Sequence, residues 1–401
     1  MSRHRVERLG QRGDGLVETP EGVRHVPKVL AGELVDLAGG RLLRVIEASP
    51  ERVPAFCPHH EACGGCKFQH WDEEHYRAWK HEQVRLVLAA QGLTPDLAPL
   101  VDAHGAGRRR VSFHVRRIEG SWRAGFMEQK SHDLVPLDHC PVLVPVLQEG
   151  PALAASFGPL LGDCDVALTA AQNGIDVAVK AERKATDKRG PALSALFHEQ
   201  KILRLAVNGD VFAMAAPPVV RMGAAAVALP VQSFLQATEA GESELARLVM
   251  DSRPRKARTV VDLFCGLGTF ALRLAAHMPV TAFDSDRAAI DAMVKATRMT
   301  QGLRPVLATV RNLFNAPLTV QELKGFDWAV LDPPRAGAEA QCRMLAQSAV
   351  KHVTYVSCDP QSFARDAKIL AEQGFSLRHV TPVDQFKWTA HTEVVGIFSR
   401  K

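Results

Sequence analysis

Two rhythms of apolar and polar residues divide this 401-residue chain. From about residue 257, short continuous apolar runs such as "TVVDLF", "VTAFD" and "VTYVS" alternate with stretches of helical period. Strands that are apolar on both faces, with helices between them, predict a doubly wound parallel sheet. Residues 5 to 53 read differently: brief alternating runs are broken by Gly-Asp-Gly, Pro-Glu-Gly and Ala-Gly-Gly, the pattern of a small β-barrel with tight turns. Between them, "GRRRVSFHVRR" predicts a basic strand around Ser112 to Val115. It is read either as a phosphate contact or, slightly favoured, as a solvated strand edge. Residues 150 to 230 predict a mixed α/β segment with loops such as "KAERKATDKRG". The expected fold class is therefore α/β with three units: 1–53, 54–230 and 231–401, part of 69–100 packing on the last.

The chemistry concentrates at the predicted strand ends of the last unit. "TVVDLFCGLGTFALRLA" turns through Cys265-Gly266-Leu267-Gly268 and is expected to enter a helix at Thr269, so that a ligand lies close to backbone and faces a helix start. Asp284, about 20 residues on at the tip of the second strand, suits the two hydroxyls of an adenosine ribose. These features fit NAD and S-adenosylmethionine alike. Asn312 ends "VLATVRN", where an amide reads adenine, and Asp332 opens Asp-Pro-Pro-Arg, a stiff backbone of low helix propensity.

"VTYVSCDP" then delivers Cys358 to the same sheet edge. A free cysteine is usually a small buried hydrophobe. Beside a methyl sulfonium, however, a thiolate suggests methylation of a carbon that is not nucleophilic by itself, such as uracil carbon 5. Thiolate addition to carbon 6 makes carbon 5 nucleophilic, and a base must later remove the carbon 5 proton so that the sulfur can leave. Glu393, expected immediately before the final strand "VVGIFS", is the candidate base, ahead of His391.

In "CPHHEACGGCKFQH", Cys57, Cys63 and Cys66 are spaced C-x5-C-x2-C, and Gly64-Gly65 lets the backbone curl around what they hold. Cys140, followed by proline like Cys57, is the candidate fourth ligand. An all-thiolate set suits an iron-sulfur cluster or zinc. Histidines 59, 60 and 70 are read either as zinc ligands or, favoured, as surface residues.

Composition changes this picture little. The chain is 46% apolar and 23% charged, with a net charge of +5 that permits an acidic partner such as nucleic acid. Eight cysteines in such a chain do not suggest a disulfide framework. No apolar run reaches the roughly 18 residues of a membrane span. Basic residues at the N-terminus have no apolar segment behind them, so a cytoplasmic location is expected.

Taken together, "ERLGQRGDG", "CPHHEACGGCKFQH", "HCPVL", "SFLQATEAGE", "DLFCGLGTFALRLA", "LDPPRAG", "VSCDPQSFARD" and "HTEVVGIFSR" resemble the RNA uracil-5 methyltransferases. The likeness is to the bacterial 23S rRNA type, which carries a TRAM domain and a 4Fe-4S cluster. That resemblance implies an OB-like TRAM barrel, a central α+β iron-sulfur domain and a class I, Rossmann-like methyltransferase domain. It implies S-adenosyl-L-methionine held by Gln236, Phe264, Thr269, Asp284, Asn312 and Asp332. It also implies a cluster on Cys57, Cys63, Cys66 and Cys140, Cys358 as nucleophile and Glu393 as base. RNA, most readily 23S rRNA, is the expected partner of a monomeric enzyme. Methylation of tRNA or another RNA, or a non-catalytic RNA-binding iron-sulfur protein, are the alternatives. Two positions depart from the family pattern: Thr238 and Asp359 stand where it carries asparagine. Asp359 adds a negative charge beside the thiol, to be relieved by pointing away or by a cation, Arg335 or Arg365.

Overall fold

A computed structural model describes residues 2–39, 41–129, 131–182 and 188–401. Gly40 of the Ala-Gly-Gly turn and residues 183–187 of the "KAERKATDKRG" loop lie outside the described residues.

The N-terminal alternating runs form five antiparallel strands: Ser2–Leu9, Gly15–Thr19, Gly22–Val26, Leu34–Ala38 and Arg41–Glu47. Ser2–Leu9 lies at the centre of their sheet, flanked by the second and fourth strands. Their inward residues Val6, Val17, Val26, Val35 and Leu37 make a small separate core. Two of the N-terminal arginines are paired: Arg3 meets Asp36 and Arg5 meets Glu47.

The middle of the chain builds a seven-stranded sheet. The basic strand spans Arg110–Ile118, with Ser121–Met127 on one side and Cys164–Ala171 on the other. The solvated-edge reading of this strand is therefore corrected: both neighbours are occupied, and Phe113 and Val115 are core residues. Just before it, Arg109 is buried in an ion pair with Glu242 at 2.5 Å.

The C-terminal sheet follows the order Val306–Val310, Val280–Asp284, Val260–Leu263, Trp328–Leu331, His352–Ser357, Glu393–Ser399, Ser376–Asp384 and Asp96–Leu97. The first five run parallel, whereas Glu393–Ser399 is antiparallel to both of its neighbours. Alternate residues feed two cores. Val260, Trp328 and Val330 face Leu245, Val249 and Met293, while Val261, Ala329 and Leu331 face Leu345, Phe363 and Leu370. Burial of both faces is what makes these strands read as continuous apolar runs.

The helix Glu73–Ala90, capped by Asp72, packs Val84, Val87 and Leu88 into the second of these cores. Its buried stripe at Tyr76, Lys80, Val84 and Val87/Leu88 has the spacing of one helix face. Asp96–Leu97 and Val101–Asp102 then pair with Ser376–Asp384 and extend the sheet. The strand order reverses between Val260–Leu263 and Trp328–Leu331, where such sheets leave a crevice at the strands' C-terminal ends. Two local expectations shift: the helix after the glycine turn is Ala271–Leu274, and Glu393 is the first residue of the last strand. No helix among the described residues is long and apolar enough to cross a membrane.

Candidate active site

At the crevice, the strand Val260–Leu263 leads into a turn that only unusual backbone can make. Phe264 has φ +66°, Gly266 +52° and Gly268 +89°, left-handed values that cost a non-glycine residue energy and collect at functional sites. The Phe264 and Cys265 amides both donate to the Phe283 carbonyl, at 2.9 and 3.1 Å, binding the turn to the next strand. A Cβ at Gly266 would meet open space, and one at Gly268 would stand 2.6 Å from the Met293 sulfur. One glycine thus keeps a cradle open while the other admits a helix. The Asp284 carboxylate accepts from Gly266 N–H and Asp286 N–H, both at 2.8 Å, and keeps lone pairs for a ligand.

A cavity of about 460 Å³ lies over this turn, lined by Gln236, Phe264, Gly266, Thr269, Asp284, Asp332, Cys358 and Glu393 among others. Asn312 does not line it; its side-chain carbonyl accepts from the amides of Phe314 and Asn315. Phe314, which sequence reasoning missed, does line it, its ring 5.4 Å from that of Phe264.

Cys358 follows the strand His352–Ser357 and lines two spaces at once, this cavity and a cleft of about 810 Å³. Arg12, Lys67, Arg108, Arg335, Phe386 and His391 line that cleft, which draws on all three parts of the chain. Its walls carry the cations of Arg12, Lys67, Arg108 and Arg335 and the ring of Phe386.

The thiol is not activated in this state. Burial, then the Glu393 and Asp332 carboxylates, push Cys358 up to about 12, and the Arg335 guanidinium opposes them. Burial likewise raises Glu393 to about 7, against a hydrogen bond from Gln385 and the charge of Arg335. Asp332 is driven well above the carboxylate range by burial and by Glu393, and Gln236 donates to it at 3.1 Å. His391 is held near 4 by burial and by Arg335, so its neutral ring accepts from that guanidinium at 3.0 Å. Glu393 presents a different geometry: Oε1 accepts from Gln385 at 2.9 Å, and Oε2 has no hydrogen-bond partner among the described residues.

Both departures from the expected motif are helix caps. Thr238 Oγ1 accepts from Gly241 N–H at the start of Glu239–Asp251 and donates to the Ala103 carbonyl. The Asp359 carboxylate accepts from Gln361 and Ser362 N–H at the start of Pro360–Glu372. Side chains of either type do this work well. Arg335 is the cation beside the thiol; Arg365 instead pairs with Asp366.

The four cysteines Cys57, Cys63, Cys66 and Cys140 line a third cavity, of about 250 Å³. Gly65 N–H donates to the Cys63 sulfur, and the Lys28 ammonium is bound by the carbonyls of His60, Glu61 and Cys63. Burial and the neighbouring thiols push Cys140 up to about 12. Among the described residues no group of three or more His, Cys, Asp or Glu is drawn up to hold a metal ion. The expectation of surface histidines is corrected at two positions: His60 and His70 are each 2% exposed and hydrogen-bonded to one another at 3.0 Å. Their burial was illegible because both sit in a polar, loop-like stretch.

Known proteins resemble this chain along its length. The family described as tRNA (Uracil-5-)-methyltransferase matches residues 228–401. An uncharacterized RNA methyltransferase of Brucella suis biovar 1 is 40% identical, over 98% of this chain and 97% of its own. The 23S rRNA (uracil(1939)-C(5))-methyltransferase RlmD of Chromohalobacter salexigens is 30% identical, over 98% of this chain and 88% of its own. The crystal structure of Pyrococcus abyssi tRNA (uracil-54, C5)-methyltransferase in complex with S-adenosyl-L-homocysteine superposes with a TM-score of 0.76. It covers 99% of both chains at 20% identity, which is a likeness of fold.

Proposed function

This chain belongs to the RNA (uracil-5-)-methyltransferase family, and from that premise we propose that it methylates carbon 5 of a uridine in 23S rRNA through a covalent Cys358 adduct. One observation carries the reading: Cys358 lines both the cavity over the glycine turn and the basic cleft, with Glu393 in the same cavity. A sulfur in that position meets a base arriving through the cleft and faces a methyl donor across it.

Gln236, Phe264, Thr269, Asp284 and Asp332 line a cavity that fits S-adenosylmethionine, with the Gly266 cradle open to it. Asn312 would contribute by holding the turn that carries Leu313 and Phe314. When bound, the cofactor supplies an electrophilic methyl group. Cys358 adds to carbon 6 of the uracil, so the ring electrons gather at carbon 5. Arg335 favours the thiolate that this requires. Asp332, kept protonated by its surroundings, donates to the ring or accepts its N3–H once ionised. After methylation, Glu393 takes the carbon 5 proton and the thiolate is expelled.

The rRNA assignment rests on likeness to a 23S rRNA enzyme along nearly the whole chain, and an enzyme with that substrate would work in the cytoplasm. Residues 1–53 serve as a TRAM-like RNA-binding barrel, 54–230 as an iron-sulfur and RNA-binding unit, and 231–401 as the methyltransferase domain of a monomer. Four thiols around one cavity fit a 4Fe-4S cluster by donor chemistry. With Cys57, Cys63, Cys66 and Cys140 all engaged, no position is left for substrate, so the group would act structurally.

The test is incubation with labelled methyl donor and unmodified 23S rRNA or tRNA, followed by nucleoside analysis. Label in 5-methyluridine from rRNA is expected. Label from tRNA alone would overturn the target, and label in another nucleoside would overturn the reaction.

A further inference from the structure

The proposed base does not stand alone. Gln385 follows the strand Ser376–Asp384, next to Glu393, because Val383 is the register partner of Glu393 on the neighbouring strand. The Gln385 side chain is buried, and its amide nitrogen donates twice: to Glu393 Oε1 at 2.9 Å and to Gln236 Oε1 at 2.7 Å. Gln236 in turn donates to Asp332 Oδ2 at 3.1 Å. The ionised Glu393 that acts as base can only accept, so Gln385 turns its amide nitrogen to it and to Gln236 Oε1, and Gln236 passes its own N–H to Asp332. The packing guards this arrangement. A Cβ at Gly241 would lie 2.6 Å from Gln385 Oε1, so the first turn of Glu239–Asp251 closes over the amide only with glycine there.

We infer that Gln385 is a positioning residue, holding Glu393 by one oxygen so that the other is free to take the carbon 5 proton. The inference rests on the reading of Glu393 as the base. In the step concerned, the proton passes from carbon 5 to Glu393 Oε2. The electron pair of that bond forms the carbon 5–carbon 6 double bond, the carbon 6–sulfur bond breaks, and Cys358 leaves as thiolate. A carboxylate rotating freely in a buried pocket would sample this geometry rarely, and one without its donor would hold a proton already.

Other charged groups around Glu393 do not replace this contact. Asp332 and Cys358 face it as potential negative charges, and Arg335 acts on it through space. Lys80 is engaged by Asp384 and the His391 carbonyl, and Glu242 by Arg109 and Arg273.

Gln385→Met keeps size and removes the donor, while Gln385→Glu keeps shape and adds charge. Loss of a hydrogen bond to an ionised group raises its pKa, so the acid limb of the methylation rate should move up by about one pH unit in Gln385→Met, a roughly tenfold loss below the limb. Gln385→Glu should move further the same way. Both should accumulate a denaturant-resistant protein–RNA adduct, with donor binding and thermal unfolding reported alongside to verify folding. Glu393→Gln is the reference and should accumulate the most adduct. If Glu393→Gln traps adduct while folded, donor-binding Gln385 variants show neither adduct nor a shifted limb, the positioning role is overturned. If Glu393→Gln itself traps none, the reading of Glu393 as base fails, and this inference with it.

Discussion

Asp359, the residue after Cys358, turns its carboxylate away from the thiol and onto the N–H groups of Gln361 and Ser362. A negative charge adjacent in sequence is thereby spent at a helix N-terminus, where it is favoured. Asp359→Asn should preserve both the cap and the methylation rate with its pH profile. Asp359→Ala should lose about 1 kcal/mol of stability by removing the cap. Denaturant unfolding and a pH–rate series check the pair.

Free Cys358 is expected to be a sluggish thiol. With its pKa pushed up to about 12, thiolate is scarce at pH 8, and only the thiolate alkylates. Iodoacetamide labelling of this residue, followed by peptide mass mapping, should accelerate about tenfold per pH unit from 7 to 10 without a plateau. Arg335→Met should slow it several-fold further, since that guanidinium opposes the carboxylates.

Glu393 should make stability depend on pH. Its folded pKa of about 7 lies above the unfolded carboxylate value, so the folded state binds the extra proton between about pH 4.3 and 7. The stability that this proton contributes is present below that window and lost as pH rises through 7. Glu393→Gln should therefore be more stable than the wild type at pH 8, by up to about 4 kcal/mol, and should flatten the slope in this window. Urea unfolding at pH 5 and pH 8 measures both.

The cluster proposed for the cysteine cavity has its own test. Protein prepared without oxygen should carry iron and acid-labile sulfide in equal amounts, and Cys140→Ser should lower both together. Zinc without sulfide would contradict the cluster.

What could be read from the chain followed burial symmetry. Strands sandwiched between two layers are apolar throughout, so Val280–Asp284 and His352–Ser357 announced themselves, and the residues that end them were marked with them. The glycine turn was equally plain because backbone strain needs glycine. Contacts formed by closure of the whole fold were not legible. The amide of Gln385 lies in a polar stretch; it meets Glu393 across the connection between two consecutive strands, but Gln236, far off in sequence, reaches it only when the whole fold closes. The charge beside Cys358 was sought at its neighbour Asp359, whereas Glu393 and Asp332, far off in sequence, are the carboxylates that raise it. The helix Glu73–Ala90 lies within the segment 69–100 expected to pack on the last unit, and it places Val84, Val87 and Leu88 in the second core of the C-terminal sheet.

The covalent step is tested most directly with RNA carrying 5-fluorouridine at the target position, since fluorine cannot be removed as a proton and elimination must stall. In the presence of methyl donor, a stable complex should form whose digested peptide joins Cys358 to a methylated fluorouracil nucleotide. Methyl transfer that leaves no such link, or a link at any other residue, would contradict the account.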